Sequence, residues 1–80
     1  MFKEAITNWG EGVTSTAKRL NLTRNRYCTE HTLWGLGFNA RLIESPYDGS
    51  VVLYYDTVAQ GTYPNVSSAV QAAMSARTGF

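Results

Sequence analysis

The eighty residues predict an α+β domain: an N-terminal helix, a three-stranded antiparallel sheet and a C-terminal helix packed on the sheet. Three observations carry this expectation. Two β-rich runs, residues 38–45 and 50–58, are separated by Pro46-Tyr47-Asp48-Gly49, the composition of a hairpin loop. Val66, Ala69, Val70, Ala73 and Met74 then recur at i, i+3, i+4, i+7 and i+8, one apolar stripe of a helix. Phe2, Ala5, Ile6, Trp9, Val13, Ala17 and Leu20 recur at similar helical spacings near the start of the chain. A hairpin cannot bury its apolar face alone and neither can a helix, so each is the cover for the other.

The N-terminal stripe is interrupted by Gly10 and Gly12, each costing about 1 kcal/mol relative to Ala in a helix interior. It reads either as one helix bent at the glycines, or as a short helix ending at Asn8 or Trp9 and a second over residues 14–20. A first strand is expected over residues 26–34, where Tyr27, Cys28, Thr29, Thr32, Leu33 and Trp34 favour extended backbone. Gly35 and Gly37 bracket Leu36 and predict a bend before the hairpin.

In the second strand Phe38, Ala40 and Leu42 share a face, and in the third Val51, Leu53 and Tyr55 do. The opposite faces keep Ile43, Val52 and Tyr54, so aromatic and aliphatic surface is left for something else to cover. Asn65, after Pro64, is placed to cap the helix over residues 65–76, and Gly79 to end it. The expected core is Ile6, Trp9, Leu42, Leu53, Val66, Ala69, Val70 and Ala73.

Composition narrows the functional classes. A chain of this length forms one domain and buries roughly 60% of its unfolded surface. Hydrophobic residues make up 44% and charged residues 16%, too apolar and too weakly charged for disorder. Seven basic and six acidic residues leave a net charge of +1, which gives no bulk attraction toward nucleic acid or toward an acidic partner. A lone cysteine, Cys28, rules out an internal disulfide. No apolar run approaches the ~18 residues of a membrane span, and the N-terminus lacks an apolar leader. The expectation is a cytoplasmic protein with no membrane association.

Cys28, Glu30 and His31 are the one cluster with the residue types of catalysis or metal binding. Cys28 and His31 supply two ligands where a structural zinc needs four, and in a strand they point to opposite faces. Gly35-Leu36-Gly37 lacks the Lys-Ser/Thr that follows the glycines of a phosphate loop. The residues therefore predict no enzyme, no cofactor and no metal.

Binding remains, in two versions. Arg41, Tyr47, Tyr54 and Tyr55 offer aromatic and arginine side chains of the kind that anchor protein interfaces. Tyr47 sits in the hairpin loop, and of the adjacent Tyr54 and Tyr55 one must face outward. Lys18, Arg19, Arg24 and Arg26 offer instead a basic segment for phosphates. Residues 14–30 can also be laid on a helix-turn-helix, with Asn21 in place of the usual turn glycine and Glu30 at a core position. The passage Val58-Ala-Gln-Gly-Thr-Tyr-Pro-Asn-Val-Ser-Ser-Ala69 resembles the strand-to-helix step of three-stranded-sheet-plus-helix DNA-binding modules of the integrase-arm type. Those carry a run of basic residues on the sheet face, where here Arg41 stands nearly alone. The reading drawn is a non-enzymatic protein-binding module that occludes a partner, with room for a homo-oligomer. In size and lack of catalytic groups it is similar to phage-encoded inhibitors such as anti-CRISPR proteins. The alternative is a small nucleic-acid-binding protein using residues 18–26.

Overall fold

The computed structural model describes residues 5–23 and 26–78; Phe2, Arg24 and Gly79, invoked above, lie outside them. Six strands, β1 (Ala5–Gly10), β2 (Val13–Thr23), β3 (Arg26–Trp34), β4 (Ala40–Glu44), β5 (Val51–Tyr55) and β6 (Val58–Tyr63), precede one helix, α1 (Val66–Thr78). The strands lie in one antiparallel sheet in chain order, each joined to the next by a short connection. The expected N-terminal helix and three-stranded sheet are both overturned.

The N-terminal stripe fails as a helix because Gly10, Glu11 and Gly12 all take positive φ, at 89°, 55° and 79°. Three consecutive residues in that region reverse the chain and make residues 5–23 a hairpin. The β-branched Thr14 and Thr16 of β2 favour the extended form. The helix-turn-helix is removed as well, since residues 14–23 and 26–30 lie in the paired strands β2 and β3. The run expected as one strand to Val58 is cut at Asp56, whose φ of 56° turns the chain and starts β6.

The other elements follow from local chemistry. Around Pro46–Gly49, the Ser45 amide donates to the Ser50 carbonyl at 2.8 Å and the Ser50 amide to Asp48 Oδ1 at 2.9 Å. The Ser50 amide first, then the Ser50 and Ser45 hydroxyls, hold the Asp48 carboxyl below the ordinary carboxylate range. At the helix, Asn65 Oδ1 accepts from the Ser68 amide at 2.8 Å, the expected cap.

Directly opposed residues share a face, so the register sorts the side chains. One face carries Ala17, His31, Leu42 and Leu53 in one cross-strand row and Ser15, Leu33, Ala40 and Tyr55 in the next. Helix α1 packs on this face over β4, β5 and β6. Ala69, Val70 and Ala73 of α1 close with Leu42, Leu53, Val51, Ala40, Leu33, Leu36 and Val13 into one buried cluster. Trp9 and Val66 pack against that cluster rather than within it. Ile6, expected in the core, is 75% exposed, because its pairing with Thr16 puts it on the face α1 does not reach.

The first hairpin is fastened to the helix at its tip. Arg77 Nη2 meets Glu11 Oε2 at 2.9 Å and Nη1 donates to the Glu11 carbonyl at 3.1 Å. Trp9 Nε1 donates to the buried Ser15 hydroxyl at 2.8 Å, satisfying a hydroxyl that would otherwise be costly to bury.

Candidate functional site

The face opposite α1 is the open one. Its rows read Ile6, Thr16, Thr32, Arg41, Tyr54 and Ala59, then Lys18, Glu30, Ile43, Val52 and Thr62. Trp34 lies on it as well, 55% exposed, with its indole N–H donating to Thr16 Oγ1 at 3.3 Å. Arg41 and Tyr54 oppose each other directly and, with Glu30, Ile43, Asp56 and Thr57, line one groove. Asp56 is presented there by its own turn, which is held to the β3–β4 connection: the Asp56 amide donates to the Asn39 carbonyl at 3.1 Å, and Asn39 Nδ2 to Asp56 Oδ1 at 3.2 Å.

The other expected contact residues are placed elsewhere. Tyr55, one residue after Tyr54, projects to the helix side and packs edge-on against Phe38, ring centroids 4.9 Å apart. Burial pushes its phenol pKa up, with the nearby Tyr63 adding to the shift. Tyr47 is 72% exposed in the β4–β5 loop, under the guanidinium of Arg26, whose Cζ lies 5.7 Å from the ring centroid.

Of the described basic residues of the segment, Lys18 stands apart from Arg19 and Arg26. Strand alternation sends Lys18 to the open face opposite Glu30 and Arg19 to the other, opposite Thr29. Arg19 Cζ lies 5.3 Å from the Tyr27 centroid. Sequence reasoning missed that Arg19 and Arg26 line a cleft with Tyr27, Thr29, Pro46 and Tyr47. No sequence signal marked it: the runs read from the sequence, 26–34 and 38–45, are nearly equal in length, and only in the structure does β3, with nine residues, overrun β4, with five.

Cys28 and Glu30 alternate with His31 along β3, so the three do not converge. His31 Nε2 is 2.9 Å from Glu44 Oε1, inside the sheet's helix-side face. No three His, Cys, Asp or Glu side chains among the described residues are arranged to hold a metal ion. Cys28 is buried, and that burial pushes its thiol pKa up, keeping it protonated at neutral pH. Alkylation of Cys28 by iodoacetamide, followed by mass spectrometry, should therefore be slow in the native protein and accelerate at least tenfold in urea; equal rates would contradict the burial.

Among the described residues, no helix is long and apolar enough to cross a membrane. No protein-family model, curated protein or solved structure matches the chain.

Proposed function

We propose that this is a non-catalytic protein-binding module that docks its partner on the open sheet face, with Arg41 and Tyr54 at the centre, and acts by occluding the partner surface it covers. The observation that carries this reading is the opposed Arg41–Tyr54 pair, lining one groove on the face that α1 leaves uncovered. Arg and Tyr are the side chains that most often dominate binding energy. Ile43 and Tyr54 supply apolar contact, and Glu30, Asp56 and Arg41 surround it with charges of both signs. A mixed rim of that kind suits a protein surface with an apolar anchor and its own polar fringe. It does not suit a polyanion, which the two carboxylates would repel.

The test is capture on immobilised protein from nuclease-treated lysate, at low and high salt, with wild type and an Arg41→Ala/Tyr54→Ala variant whose fold is checked by circular dichroism. A protein retained by wild type at both salts and lost from the double variant is the expected result. Loss of about 1–2 kcal/mol per anchor lowers affinity roughly five- to thirtyfold for each. Retention by both forms, or recovery only when nucleic acid is left intact, would overturn the reading.

A further inference from the structure

We propose that the cleft at the projecting end of the β2–β3 hairpin binds single-stranded nucleic acid, with Arg19 and Arg26 on phosphates and Tyr47 stacking a base. The site is separate from the Arg41–Tyr54 groove and shares no residue with it.

The cleft exists because the strands differ in length. The last β3–β4 pair is Thr29 with Glu44, so Arg26, Tyr27 and Cys28 run on beside β2 alone. The β4–β5 loop rises next to that overhang and brings Pro46 and Tyr47 to its flank. The resulting space is about 390 Å³, in the range of small-ligand sites and enough for a nucleotide-sized unit.

Among the described residues that line it, Arg19 and Arg26 contribute cations and none is a carboxylate. Arg26 lies over one face of Tyr47, within the ~6 Å of a cation–π contact. Such stacking occupies the face of a guanidinium and orients it, while the N–H donors in its plane remain suited to a phosphate. Tyr47 is 72% exposed, which leaves the ring face away from Arg26 for a second planar group. A base laid there would complete an Arg–Tyr–base stack.

Those requirements select the ligand. Unpaired bases offer their faces to aromatic side chains, next to phosphates spaced along the same strand. A duplex keeps its base faces stacked inside and offers phosphates and base edges, which would give the Tyr47 ring no face to stack on. An acidic peptide brings charge without the planar group.

The probe is a short fluorescein-labelled oligothymidylate, followed by anisotropy against salt concentration. Two phosphate contacts at ~0.7 counterions each give an expected slope of log affinity on log salt of about −1.4. Tyr47→Ala should weaken binding about tenfold, and Tyr47→Phe should not. Arg26→Ala should weaken binding and roughly halve the slope, while Arg41→Ala/Tyr54→Ala leaves both unchanged. Absence of binding at low salt would overturn the proposal. So would wild-type affinity in Tyr47→Ala, or competition by a duplex or polyglutamate as strong as that by unlabelled oligothymidylate. Tyr47 is a solvent-exposed loop residue, so a matching circular dichroism spectrum is expected for its variants and separates lost binding from lost fold.

Discussion

Gly35→Ala should destabilise the protein by about 3 kcal/mol or more, a large part of the roughly 4–12 kcal/mol expected for a chain of this length. Gly35 has a φ of +92°, and a Cβ added to it would overlap the Gly12 carbonyl oxygen and come within 3.0 Å of the Gly12 carbonyl carbon. Two costs therefore add. An L side chain in that backbone region is strained by about 1–3 kcal/mol, and the overlap is with backbone, which cannot rotate away. Gly37 isolates the first cost. Its φ is +87° but an added Cβ would meet nothing within 4 Å, so Gly37→Ala should cost about 1 kcal/mol, by strain alone. Urea unfolding followed by tryptophan fluorescence measures both. Equal losses in the two variants would show that the β1–β2 turn does not press on the β3–β4 connection.

Leu53→Ala or Leu42→Ala should each cost about 2–5 kcal/mol, whereas Ile6→Ala should fall within about 0.5 kcal/mol of wild type. Leu42 and Leu53 oppose each other across β4 and β5, are fully buried and lie in the same cluster as α1. Truncating either leaves a cavity that its neighbours fill only in part. Because the two side chains share that space, the double variant should depart from additivity by about 0.5–3 kcal/mol. Ile6 serves as the contrast. On a helical stripe it would sit beside Trp9 in the core, but on β1 it faces outward. An Ile6→Ala loss as large as that of Leu53→Ala would contradict the outward placement of Ile6 on β1.

The mistaken helix at the N-terminus has an identifiable cause. Apolar residues at spacings of three and four fit a helix, yet the same residues fit a hairpin if a turn separates them. The glycines at 10 and 12 were visible as interruptions, and their meaning depended on Glu11 also taking positive φ, which a non-glycine residue seldom does. Asp56 hid the β5–β6 turn in the same way. Neither turn contains the Asn-Gly or Asp-Gly pair that marks tight hairpins. The binding residues were legible as types and not as groups. Arg41 and Tyr54 meet only through the β4–β5 register, and Tyr47 joins Arg26 only because β3 outruns β4.

Local chemistry alone was enough for several elements from residue 26 onward, though not for the Asp56 turn and β6. The span 26–34 as a strand, the loop around Pro46–Gly49, the Asn65 cap and the stripe Val66, Ala69, Val70, Ala73 and Met74 are each encoded within a few neighbouring residues. Tertiary structure decided the rest: that residues 5–23 form β1 and β2, with β2 paired to β3, instead of coiling, and that α1 covers one face and leaves Arg41, Tyr54 and Trp34 on the other. The physical reason is that β-strands take their stability from partners distant in sequence. The preference of a strand for one face or one neighbour is therefore settled by the whole sheet and by the helix that seals it.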